Sequence, residues 1–102
     1  MSVLMTLRVT GDGSAIEKMG AEQASLFESV IADAKERGLI SHHFYASEGE
    51  VLVVDEWPDE QAFQSFFETA GPRIEQIMGA AGVTSRPAIE FWRPLDVGDE
   101  VG

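Results

Sequence analysis

The sequence predicts an α+β domain whose elements run strand, helix, strand, strand, helix, strand. Three observations carry this. Apolar residues alternate over residues 2–10 and 88–93, the period of strands, and Leu39–Ala46 and Val51–Trp57 read as strands on either side of a short turn. Two intervening stretches place apolar residues three and four apart, as amphipathic helices do. Ser47-Glu48-Gly49-Glu50 is short enough to join the two middle strands as a hairpin.

The first strand sets Val3, Met5, Leu7 and Val9 against a mixed side of Leu4, Thr6, Arg8 and Thr10, which suits a strand covered on both faces. Gly11-Asp12-Gly13 ends it. Ser14, with Glu17 three residues on, has capping-box spacing and predicts a helix start. Ile16, Met19, Gln23, Phe27, Val30, Ile31 and Ala34 then share one helical face, and Gly38 is the stop. Strand two spans Leu39–Ala46 and strand three Val51–Trp57. Pro58 fits a first helical turn, and Asp59 and Glu60 suit the positive end of the helix dipole. Phe63, Phe66, Phe67 and Ala70 keep helical spacing; Gly71-Pro72 predicts a break or kink, with Ile74, Ile77 and Met78 on a second segment. The last strand covers Ala88–Arg93.

Two β-α-β halves joined by a hairpin give the ferredoxin-like plan, a four-stranded antiparallel sheet with helices on one face. At 102 residues the chain is one domain, residues 1–95, followed by an acidic, solvated tail at 96–102. A chain this short gains from burying a sheet face against a partner. Strands one and three are apolar on both sides, so a second sheet is expected there.

Eighteen acidic residues against seven basic ones give a net charge of −11, which disfavours nucleic acid and anionic membrane surfaces as partners. No apolar run is long enough for a membrane span, and the N-terminus lacks a signal-peptide pattern, so the expected location is cytoplasmic. With no cysteine, thiol nucleophiles and metal–thiolate sites are excluded. The adjacent His42 and His43 point to opposite faces of a strand and cannot share a metal ion. Arg8 and Glu90 fall on strands expected to be neighbours and predict a cross-strand ion pair.

Cross-strand register locates the chemistry. A two-residue turn at Glu48-Gly49 pairs Phe44 with Val53, His42 with Asp55 and Ile40 with Trp57; a longer turn brings His42 nearer Glu56. A carboxylate beside an imidazole orients the ring, an arrangement from which a general base or proton shuttle is built. The same pair also reads as a satisfied hydrogen bond closing a sheet end. Trp57, Phe63, Phe66, Phe67, Phe27 and Trp92 either wall a flat apolar ligand cavity or pack as core. Which sheet face meets the helices stays open at this level.

The order of elements, with LVVDEWPDEQAFQSFF, resembles the dimeric α/β-barrel superfamily that includes antibiotic-biosynthesis monooxygenases. Asp55, Glu56 and Trp57 match its carboxylate-x-Trp strand end, and Glu60, Phe63 and Phe67 match its acidic, aromatic helix start. HHFYASEGEVLVVDEW is similar to small uncharacterised bacterial members in which a His-His pair opens strand two. The resemblance implies two ferredoxin-like units in a homodimeric α/β barrel, with an aromatic-lined pocket between sheet and helices. It implies a small apolar or aromatic ligand and a cofactor-independent monooxygenase-like reaction, with no cofactor. The alternative is a non-catalytic ligand-binding or assembly module. The candidate catalytic residues are His42 and Asp55, and the candidate substrate-binding residues Phe44, Trp57, Phe63 and Phe67. Haem degradation fits less well, because no histidine lies between Pro58 and Gly82 to serve as an axial ligand.

Overall fold

A computed structural model describes residues 1–102. Its elements are β1 (Val3–Thr10), α1 (Gly13–Glu22), α2 (Ala24–Glu36), β2 (Ser41–Ser47), β3 (Glu50–Trp57), α3 (Glu60–Ala80) and β4 (Ala88–Trp92). The strands form one antiparallel sheet in the order β2-β3-β1-β4. This is the ferredoxin-like plan: β1 and β3 lie at the centre, and β2 and β4 form the edges.

Alternation assigns the faces. Met5, Leu7, Val9, Val51, Val53, Asp55 and Trp57 are buried under the helices. Ile16, Val30, Ala34, Phe63, Phe66, Ala70 and Ile77 complete the core from the helical side. His42 shares the inner face of β2 with Phe44, while His43 and Tyr45 point outward. The opposite face of the sheet carries Leu4, Tyr45 and Trp92 as exposed large side chains.

Several local expectations are corrected. The predicted first helix is two, bent at Gln23, whose N–H still reaches Met19 while its carbonyl starts the next helix at Leu26 and Phe27. The bend leaves Gln23 exposed, whereas a continuous helix would have aimed its amide at the core, where an unpaired polar group is costly. The cap of α1 is Asp12, whose carboxylate accepts from the Ser14 N–H at 2.9 Å; Ser14 lies already inside the helix. Pro58 precedes α3, and Asp59 caps it by accepting from the Ala62 N–H at 2.8 Å. No break occurs at Gly71-Pro72, since α3 runs from Glu60 to Ala80. Proline removes one helical bond, but Pro72 and Glu68 lie on the exposed side, where water can solvate the freed carbonyl. The apolar stripe from Phe63 through Ala70 to Ile77 spans that point and holds both halves to the sheet.

Two cross-strand expectations also change. Arg8 lies opposite Ala88, and Glu90 opposite Thr6, so Arg8 pairs instead with Glu50, Nε to Oε2 at 3.4 Å. Trp92 is on the outer face, its indole N–H donating to Thr6 Oγ1 at 2.8 Å, because Ile89 and Phe91 take the inward positions of β4.

Gly38 ends α2 with φ 103°, and a Cβ there would stand 2.9 Å from Pro58 Cγ. Gly20 sits in α1, where an added Cβ would meet nothing within 4 Å. Opposite effects are therefore expected in urea unfolding. Gly38→Ala should cost about 1–2 kcal/mol, and Gly20→Ala should add about 0.5–1 kcal/mol. Equal shifts of the two midpoints would contradict this account of the turn and the helix.

Candidate functional site

One charged side chain is buried in this protein: Asp55, 5% exposed. A carboxylate removed from water is costly unless hydrogen bonds replace its hydration. Here both oxygens are engaged. Oδ1 lies 2.7 Å from His42 Nδ1, and Oδ2 accepts from Trp57 Nε1 at 3.1 Å.

Each partner arrives by a different local rule. Trp57 is two residues along β3 from Asp55, so both side chains project to the same face. His42 comes from β2, directly opposite Asp55 in the ladder. That register follows from the Glu48-Gly49 turn, where Gly49 takes φ 77° and Ser47 pairs with Glu50. The longer-turn alternative, with His42 nearer Glu56, does not occur; Glu56 faces Ser41 and accepts from the Ser2 hydroxyl. The ladder ends at Ser41, and beyond it the Ile40 N–H donates to the Glu56 carbonyl at 2.9 Å.

The donor pattern determines the state of the imidazole. An indole N–H can only donate, and an ionised carboxylate can only accept. The ring therefore donates from Nδ1 to Asp55, and in the neutral ring Nε2 carries the free lone pair. No protein group bonds Nε2, and no buried side-chain nitrogen or oxygen is left without a partner. His42 is thus held at one nitrogen and open at the other, with its side chain 25% exposed.

This pair sits in the wall of a cavity between the sheet and helices α2 and α3. Of its seventeen lining residues, only His42 and Asp55 are polar. Phe27, Phe44, Phe63, Phe66 and Phe67 supply aromatic walls, with Met5, Leu7 and Val53 as the floor. Phe63 stacks on Phe67 at 5.3 Å between ring centroids, and His42 meets the edge of Phe44 at 5.1 Å. The cavity volume is about 80 Å³, while one water needs roughly 10–15 Å³. It therefore has room for little more than small groups, and a ring-bearing ligand enters only if a wall moves. Phe27 and Phe44 line it while remaining partly solvent-accessible, so they form its rim.

The six sequence-derived candidates are thus distributed as follows. His42, Asp55, Phe44, Phe63 and Phe67 line one cavity. Trp57 does not. It is fully buried behind Asp55, packed against Phe63 and Phe66 at 5.7 and 5.3 Å. Sequence reasoning did not single out Ile31, Leu39, Ile74 and Met78, which also line the cavity. Their helical spacing marked several of them as apolar without saying which end of the core stays open.

No protein-family model matches the chain, and no curated protein does. Solved structures match it by fold, the ferredoxin-like architecture, and an antibiotic biosynthesis monooxygenase is among them. The particular neighbours include the monooxygenase from the gene ActVA-Orf6 of Streptomyces coelicolor, solved with nanaomycin D. It is 21% identical, with a TM-score of 0.64 over 94% of this chain and 89% of its own. SnoaB, a cofactor-independent oxygenase from Streptomyces nogalater, is 18% identical, with a TM-score of 0.60 over 97% of this chain and 98% of its own. A dimeric ferredoxin-like protein from an uncultured marine organism reaches 0.66 at 14% identity, over 98% of this chain and 93% of its own. At these identities the likeness establishes the fold.

Removing the carboxylate should be felt as lost stability. Asp55→Ala strands the buried Trp57 N–H, and the expected cost is about 2–3 kcal/mol in chemical denaturation. His42→Ala leaves Asp55 one donor and a path to solvent, and should cost about half as much. An Asp55→Ala protein as stable as the wild type would show that the buried carboxylate is not held as described.

Proposed function

We propose that this chain is a homodimeric α/β-barrel protein that binds a small, mostly apolar or aromatic molecule and acts on it as a cofactor-independent monooxygenase. The observation that carries the reading is the one oriented imidazole, backed by a buried carboxylate, in a cavity otherwise lined by apolar side chains. Such a cavity suits an aromatic body carrying one acidic hydroxyl, placed where Nε2 can take its proton. The resulting anion, desolvated by the phenylalanine walls, is electron-rich enough to react with dioxygen directly. In the balanced reaction a ring C–H and the hydroxyl become the two carbonyls of a quinone: one oxygen atom enters the substrate, the other leaves as water with both hydrogens, and the substrate supplies all the electrons. ActVA-Orf6 and SnoaB, a monooxygenase and a cofactor-independent oxygenase, share this fold.

The homodimer is supported by the outer sheet face. Leu4, Tyr45 and Trp92 are exposed there, a poor match to water for a chain of this size. Packing a second sheet against it, about 10 Å away, buries them and closes the barrel. The fold neighbour from a marine organism is described as dimeric.

A second reading has its own support. The cavity of about 80 Å³ is close to filled by its own side chains, which favours a non-catalytic binding or assembly module.

Native mass spectrometry at micromolar concentration should give twice the 11.1 kDa chain mass; a monomer would sink the barrel. Naphthol should raise the melting temperature and methoxynaphthalene should do so much less, because only the former gives Nε2 a proton. His42→Ala should weaken naphthol binding roughly tenfold, about 1.4 kcal/mol. Binding of naphthol with no oxygen uptake would select the binding module over the enzyme.

A further inference from the structure

Trp57 was expected on sequence grounds to touch ligand, yet it lies behind the site with no exposed surface. Its one polar atom is not idle. The indole N–H donates to the carboxylate oxygen that His42 does not use. We propose that Trp57 is a positioning residue that fixes the orientation of the side chain at position 55, and so decides which of its atoms meets His42 Nδ1.

The reasoning is a chain of donor and acceptor constraints. Trp57 can only donate, so whatever occupies position 55 must turn an acceptor toward it. An ionised aspartate has a second acceptor to spare, and that oxygen meets His42 Nδ1 at 2.7 Å. The ring must then donate at Nδ1, and its free lone pair falls on Nε2. Trp57 is locked in place by Phe63 and Phe66 and by the β3 backbone, so its N–H direction is fixed by packing. The ionised carboxylate alone would also make Nδ1 donate. What Trp57 adds is the orientation of the carboxylate plane, and with it control over any amide placed there.

That difference gives the test. In Asp55→Asn the amide oxygen must face Trp57 and the NH₂ must face His42. The ring then accepts at Nδ1 and carries its proton on Nε2. In the double variant Asp55→Asn with Trp57→Phe the constraint is gone, the amide is free to turn its oxygen to His42, and the Nδ1-protonated ring returns. Heteronuclear NMR of the His42 ring nitrogens, at a pH where the ring is neutral, reads the tautomer directly in the wild type and all three variants. The expected majority forms are Nδ1–H in the wild type, Nε2–H in Asp55→Asn, and Nδ1–H again in the double variant. Trp57→Phe alone should keep Nδ1–H.

Retention of Nδ1–H in Asp55→Asn would overturn the proposal, as would an Nε2–H ring that persists in the double variant. Should Trp57→Phe fail to fold, the Asp55→Asn ring still tests it: inversion supports the assignment and retention sinks it. The NMR readout needs no ligand, so it stands apart from the reading of the cavity as a binding site. That reading has its own arm, since Asp55→Asn should lose most of the preference for naphthol over methoxynaphthalene. Inverted tautomers with an unchanged preference would leave the Trp57 assignment standing and refute naphthol binding at Nε2.

Discussion

A carboxylate buried in a small apolar core must be compensated on both oxygens, and much of this structure meets that requirement at Asp55. Two donors are needed within 2.7–3.1 Å, and they come from two strands. Trp57 is supplied by the period of β3 itself. His42 is supplied only if β2 pairs in one register, because a slip of one residue would turn the imidazole to the outer face and leave the charge half-solvated. The two-residue turn at Glu48-Gly49, with its positive φ at glycine, holds that register. Turn, ladder and buried charge are therefore one constraint seen at three scales.

The same constraint separates the two surfaces of the sheet. The inner face carries the aromatic cluster and the oriented imidazole. The outer face carries Tyr45, Leu4 and Trp92 and no comparable polar constellation, which fits a surface for association. His43, adjacent to His42 in sequence, belongs to this second surface and lies 6.3 Å from Tyr45 between ring centroids. Two neighbouring histidines thus have unrelated environments.

Helical packing defines how far the core closes. Pro72 and the bend at Gln23 are local irregularities, each tolerated because apolar contacts on both sides of it outweigh one imperfect turn. Arg73 bridges from α3 to Asp33 and Ser29 of α2, tying together the two helices that roof the cavity. Between that clasp and the edge strand β2, Phe27 and Phe44 remain partly exposed, and there the core is incompletely sealed.

Much of this was legible in the residues alone. The strand and helix order, the hairpin register and the pairing of His42 with Asp55 all follow from local periods and a short turn, which act over a few residues and leave a direct trace in sequence. Other features did not follow. The continuity of α3 through Pro72 and the bend at Gln23 depend on how much apolar surface each segment buries against the sheet. The pairing of Arg8 with Glu50 in place of Glu90, and the outward turn of Trp92, depend on the offset between β1 and β4, strands far apart in the chain. The role of Trp57 is the sharpest case. Its position in DEWPDE marks it as an aromatic at a strand end, but whether its ring faces a cavity or its N–H faces a carboxylate is set by which side chains crowd it. The sequence by itself determined the fold and the pairing of His42 with Asp55, because those rest on periodicity and a short turn. Only the tertiary structure decided which face holds the cavity, how small it is, and that Trp57 lies behind Asp55 and outside the cavity wall, because those rest on packing among residues that the chain order does not bring together.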